Sequence, residues 1–183
     1  LIAMMTADPA EGLQANPGDE HNVTWTFNSD VQAFNYLAEG ETLTLTYTIE
    51  AKDSSLDGAT TTQEVTITVL GTNDAPVITV EEGDSVAETL AETNEELEVE
   101  GTITISDIDL SDDVNLSVDV QVTAAPEGIA DALPDAATLL AMLEIDPVTA
   151  ATPNEPNNVA WSFDSEDHAF DYLADGETLE LTY

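Results

Sequence analysis

The sequence predicts an all-β fold carrying one short helical insertion, and three observations lead there. Apolar and polar residues alternate with a period of two along much of the chain, as in Leu43-Thr44-Leu45-Thr46-Tyr47-Thr48-Ile49 and Val65-Thr66-Ile67-Thr68-Val69. That period belongs to strands with one buried face and one wet face. The chain also repeats itself. Phe34-Asn35-Tyr36-Leu37-Ala38-Glu39-Gly40-Glu41-Thr42-Leu43-Thr44-Leu45-Thr46-Tyr47 returns 136 residues later as Phe170-Asp171-Tyr172-Leu173-Ala174-Asp175-Gly176-Glu177-Thr178-Leu179-Glu180-Leu181-Thr182-Tyr183. Trp25-Thr26-Phe27 returns at the same spacing as Trp161-Ser162-Phe163. Such a period is the length of a whole domain, not of a solenoid turn. Finally, hydrophobic residues make up 42% of the chain despite its acidity. Low-aromatic acidic chains are often disordered, but this apolar content in strand-like order argues for a packed fold.

The elements follow in order. Residues 1–5 (Leu-Ile-Ala-Met-Met) match 139–143 (Leu-Leu-Ala-Met-Leu) at an offset of 138, so the second copy is two residues shorter in the loop that follows. Residues 9–22, rich in Gly, Pro, Asn and Asp, read as irregular. Strands are expected at 23–27, 43–49, 63–70, 102–105, 116–122 and 159–163. Threonine suits them, being β-branched yet polar enough for a solvent face. A short helical turn is expected over 31–37, ahead of the break at Gly40. Residues 135–143 (Asp-Ala-Ala-Thr-Leu-Leu-Ala-Met-Leu) follow Pro134 and read as helix. Gly71-Thr72-Asn73-Asp74-Ala75-Pro76 punctuates the chain: Gly ends a strand, Asn-Asp turns, and Pro76 stiffens what comes next. A boundary here makes 1–73 the C-terminal part of one repeat and 74–183 the N-terminal and middle part of the next. The alternative is that strands from both parts complete one folded unit. The chain opens inside a repeat, so the parent protein is expected to continue beyond it.

Composition excludes several functions. Asp and Glu number 39 against one basic residue, Lys52, for a formal net charge of -38. Nothing is available to neutralise phosphates, so nucleic acid and anionic membrane surfaces are excluded as partners. No apolar run is long enough to cross a bilayer. The absence of cysteine excludes disulfide staples and thiolate metal sites.

Residues 48–76 carry a family resemblance. Thr48-Ile49-Glu50-Ala51-Lys52-Asp53 through Asp57-Gly58, then Gln63-Glu64-Val65-Thr66-Ile67-Thr68-Val69-Leu70-Gly71-Thr72-Asn73-Asp74-Ala75-Pro76, resemble the end of a VCBS repeat and, more distantly, of a cadherin repeat. Gly101-Thr102-Ile103-Thr104-Ile105-Ser106-Asp107-Ile108-Asp109 resembles the VCBS opening strand with its acidic turn. The resemblance implies Ig-like or cadherin-like β-sandwich repeats, strung along very large bacterial surface proteins such as RTX adhesins exported by type I secretion. It also implies Ca2+ at or near the repeat junctions. The partners it implies are neighbouring repeats of the same chain, with adhesive ligands gripped by other domains. The segment 124–157 is longer than a minimal repeat of this family requires.

Ligand chemistry points to Ca2+ independently. The ion takes six to eight oxygen ligands from carboxylates, carbonyls and water. Asp107, Asp109, Asp112 and Asp113 crowd one short loop. Alternation within Asp107-Ile108-Asp109 is expected to send both carboxylates to one side and Ile108 to the core. Carboxylates so close repel unless a dication sits among them. In a cadherin-like sandwich the Asn73-Asp74 linker reaches the end that bears this turn, and the loop of Glu39 and Glu41 belongs to the preceding repeat. Asp53 and Asp57 occupy the far hairpin and would serve the junction before residue 1. The bland reading of any one of these residues is a solvated acidic loop. The loop is no EF-hand, since Asp112 stands where Gly is needed and Val118 where Glu is needed.

An enzyme is not expected. The acids are spread too evenly to mark a site, and neither histidine recurs in the other copy: His21 aligns with Asn157, and His168 with Gln32. Trp25 and Trp161 are expected in the core rather than as sugar-stacking platforms. The expected function is therefore a Ca2+-stiffened extender of a secreted, cell-surface adhesin. The alternative is a repeat that itself grips a polysaccharide or partner cell, and a projecting groove at 124–157 would favour it.

Overall fold

A computed structural model of the chain describes residues 1–14, 16–31, 33–146, 155–166 and 170–183. Two compact units emerge, Leu1–Asp74 and Ala75–Tyr183. The regular structure of both is almost wholly small antiparallel sheets, and every described ladder joins strands of the same unit.

In the first unit, β1 (Met5–Asp8) pairs with β2 (Thr24–Phe27), with Met5 opposite Phe27 and Ala7 opposite Trp25. The second sheet is one long hairpin, β3 (Thr42–Lys52) against β4 (Thr60–Leu70), in register from Thr42↔Leu70 to Lys52↔Thr60. The two uninterrupted alternating runs in the sequence form this hairpin. Gly71 follows for a steric reason: a Cβ there would lie 2.1 Å from the carbonyl oxygen of Ala38. Only glycine lets the two backbones come that close.

In the second unit, β5 (Val77–Thr79), β6 (Glu98–Ser106), β9 (Val159–Asp164) and β8 (Leu143–Ile145) form a four-stranded sheet in the spatial order β5-β6-β9-β8. β7 (Gln121–Ala124) and β10 (Glu180–Thr182) form a separate pair. One core gathers Ile105 and Val159, with Ile103, Val114 and Leu116 against them. A second gathers Leu139, Met142 and Phe170, with Phe163, Tyr172 and Leu181 among its neighbours. Full burial of a side chain such as Ile105 contributes roughly 1.5–3 kcal/mol.

The expected helix forms as α1 (Ala136–Ala141), shorter than 135–143 because Leu143 enters β8. Asp135 caps it, its carboxylate accepting the Thr138 N–H at 2.8 Å. Leu139 and Met142 carry its apolar face into the second core. The matching residues 1–5 open with a single 3-10 turn, Ile2–Met4, before β1. Over 33–37, within the stretch expected to be helical, the chain makes hydrogen-bonded turns, such as Leu37 N–H to Phe34 carbonyl at 3.1 Å.

The strand expected over 116–122 needs correction. Burial alternates strictly from Ser111 to Val120, but the chain joins a ladder only at Gln121. Alternation reports that a segment has an inner face; it does not supply a neighbouring strand. Within the long segment 124–157, residues 147–154 lie outside the described residues, as do Gln32 and His168.

Candidate functional site

The acidic turn after β6 is built by the strand that precedes it. Ile103 and Ile105 point inward from β6, Ile105 completely buried. Continuing that alternation brings residues 107 and 109 to the same inner side. Asp107 is accordingly 4% exposed and Asp109 1%, while Ile108 is 36% and Leu110 61% exposed. The two carboxylates do share a side, but it is the inner one, and the expectation that Ile108 faces the core is reversed. The signal was present in the parity of Ile103 and Ile105. Asp107 Oδ1 accepts the Asp109 N–H at 3.0 Å, and the Asp112 N–H donates to the Asp109 carbonyl at 3.1 Å, so the loop folds back on itself. Asp112 is half-buried and Asp113 exposed.

The remaining candidates lie in the first unit, where the Gly71 N–H donates to the Glu41 carbonyl at 2.9 Å and sets the Gly40 turn beside the start of the Asn73-Asp74 linker. Glu41 Oε2 accepts the Ala38 N–H at 3.0 Å, and Glu177 repeats the bond to Ala174 at 2.9 Å. A bond present in both copies marks Glu41 as a builder of the Gly40 turn. Glu39, beside it, is exposed. Asp53 Oδ1 accepts both the N–H and the hydroxyl of Ser55, which holds its carboxyl below the usual range. These bonds shape the β3–β4 hairpin loop, where Asp57 is exposed. Asn73 Nδ2 donates to the Asp74 carbonyl at 3.0 Å in an exposed linker. Among the described residues, no three Asp, Glu or His side chains gather as they would around a metal ion.

One carboxylate that sequence reasoning missed is held by four donors. Asp84 accepts hydrogen bonds from the Glu81 N–H (2.8 Å), Thr102 Oγ1 (2.9 Å), Thr104 Oγ1 (2.7 Å) and Asn157 Nδ2 (2.6 Å). Desolvation raises its pKa, but these donors outweigh that and bring it to about 2. Asn157 also donates its N–H to Thr104 Oγ1 at 2.8 Å. Its neighbour Asn158 accepts from the Ile105 N–H and donates to the Ile105 carbonyl, a side chain extending the β6–β9 ladder. The network pins the 81–85 loop to the sheet. Asn157 has φ 57° and its counterpart His21 has φ 56°. The position requires the left-handed region, which Asn and His tolerate better than most residues. Backbone conformation thereby accounts for the residue types at positions 21 and 157.

The tryptophans differ. Trp161 lies over Gly101, directly opposite it in the β6–β9 register, where a Cβ would sit 2.4 Å from the indole ring. Its Nε1–H donates to the Ser85 carbonyl at 3.0 Å. Trp25 is 45% exposed, so its expected place in the core is corrected. Two residues on, Phe27 meets Tyr47 edge-on at 6.1 Å. No helix among the described residues is long and apolar enough to cross a membrane. The chain matches no protein-family model and no curated protein.

Proposed function

We propose that this chain is a spacer: a segment of tandem Ig-like or cadherin-like β-sandwich repeats, secreted to a bacterial cell surface, that holds adhesive modules away from the cell. Ca2+ bound by its acidic loops stiffens the string. The observation that carries the reading is the pair Asp107 and Asp109, both withdrawn from solvent within one loop. Thirty-nine acidic residues against one basic residue leave most of the counter-charge to come from solution. A hard divalent cation is the species that oxygen-rich loops of this kind recognise. Residues 75–183 contain neither Lys nor Arg, so that unit has none of its own to set against the pair. The repetition of a domain-length motif supports a role in length or spacing over a single catalytic event. The packing of Leu139 and Met142 into the core favours spacing over the alternative in which the 124–157 segment grips a ligand.

Small-angle scattering on the chain with Ca2+ and then with chelator tests the reading. The expected result is a longer maximum dimension with Ca2+, lost on chelation and absent in the Asp107→Asn/Asp109→Asn variant. Dimensions indifferent to both ion and variant would sink it.

A further inference from the structure

We infer that the free edge of β2 is an acceptor for a β-strand of the β6 type, with glycine opposite Trp25, supplied by a tandem copy of the 98–106 segment. The inference rests on the tandem-repeat part of the proposed function and not on its calcium part.

The same hairpin is built twice. Met5↔Phe27 and Ala7↔Trp25 in β1–β2 correspond to Leu143↔Phe163 and Ile145↔Trp161 in β8–β9. The closing bonds agree as well: Asn28 N–H to Met4 carbonyl and Asp164 N–H to Met142 carbonyl are both 2.8 Å. What differs is the other edge. β9 has β6 there, in register from Glu98↔Asp164 to Ile103↔Val159. Among the described residues β2 is paired with β1 alone.

The geometry of the acceptor follows from the occupied copy. The Ser165 N–H donates to the Leu97 carbonyl on the β6 side, and the Asp164 N–H faces the β8 side. Amides alternate along a strand, so those of Trp161 and Phe163 face β6. By the matched register, the amides of Trp25 and Phe27 face the free edge. An unpaired edge is a template for strand addition. Specificity comes from the indole. Trp161 occupies the space a side chain at residue 101 would need. An incoming strand must therefore present glycine opposite Trp25, flanked by apolar residues at alternate positions as Val99 and Ile103 flank Gly101. Any residue with a Cβ there meets the ring.

The test adds a second copy of residues 75–138 ahead of Leu1 of the full chain, since residues 1–5 match 139–143. Amide exchange is then followed with chelator present throughout. The expected result is at least tenfold slower exchange of the Trp25 and Phe27 amides than in the unextended chain. Gly101→Val in the added copy alone should abolish that protection. Because this variant could also unfold the added copy, Trp25→Ala is then combined with it, and relief of the clash should restore protection at Phe27. Unchanged exchange in the extended chain, protection that survives Gly101→Val, or no rescue by Trp25→Ala would each overturn the inference. So would protection that rises with protein concentration, since the donor would then be another molecule. Protection in chelator without any calcium-dependent change in dimensions would leave the strand acceptor standing and remove the calcium reading.

Discussion

Trp25 and Trp161 occupy matched positions of one repeated motif, yet the first is nearly half open to solvent and the second is partly buried, with its ring packed over Gly101. Around them the local structure is the same. Tyr47 donates its hydroxyl to the Leu1 carbonyl at 2.9 Å, and Tyr183 donates to the Leu139 carbonyl at 2.7 Å. Phe27 and Phe163 meet those tyrosines edge-on at 6.1 and 6.2 Å. Gly40 and Gly176 turn at φ 88° and 85°. The neighbours are not the same. The strand after the Gly-Glu-Thr-Leu turn pairs with β4 in the first copy and with β7 in the second. A motif closed by its own short-range bonds keeps its shape in either setting, and the surroundings decide how much of it is buried.

The largest contrast is expected at the tryptophans. Trp161→Ala should destabilise the second unit by about 2–3 kcal/mol, below the full cost of a buried aromatic because the ring is only partly buried. Trp25→Ala should cost under about 1 kcal/mol, as exposed positions do. Amide exchange on the full chain reads both units at once, and equal losses in the two would break the comparison.

Acid should separate the copies next. Asp84, held at about 2 against an ordinary 3.8, belongs to the second unit alone. A depressed carboxyl contributes its full stability above the unfolded value and loses it as pH falls through the folded one. Protection of the 81–85 loop and of Thr102 should therefore be constant above pH 5 and decline from about pH 4 to pH 2. Asp84→Asn should weaken that protection at neutral pH and flatten the decline. A decline equally steep in the variant would assign the acid sensitivity to other carboxylates.

The smallest effects sharpen what the copies share. Tyr183→Phe and Tyr47→Phe each remove one hydroxyl-to-carbonyl bond. The expected cost is roughly 1 kcal/mol for the part-buried Tyr183 bond and less for the solvent-exposed Tyr47 bond. Thermal unfolding of each variant checks the order, and a larger cost at Tyr47 would show that the shared bond does different work in the two copies.

Much of the fold was legible in the residues. β3 and β4 read directly because threonine alternates with apolar residues over their whole length. α1 read from Asp135, Pro134 and the Leu-Leu-Ala-Met run. The segment before Gln121 showed the same alternation without a ladder, since no local signal names a partner strand. The acidic turn was legible as a cluster but its face was misjudged: Ile108 drew the eye inward, while the parity of Ile103 and Ile105 had already placed Asp107 and Asp109 inside. Asp84 was missed altogether. Its donors Thr102, Thr104 and Asn157 lie far from it in sequence and meet it only once the loop folds onto the sheet.

By itself, the sequence determined the repeat, the two-residue alternation and the break at Gly40. Each depends on interactions within a few residues, where side-chain size and backbone preference are enough. Only the tertiary structure decided which strands became neighbours, that Trp161 is covered and Trp25 is not, and that two aspartates rather than an isoleucine turn inward. Those outcomes depend on groups distant along the chain, whose proximity no local preference encodes.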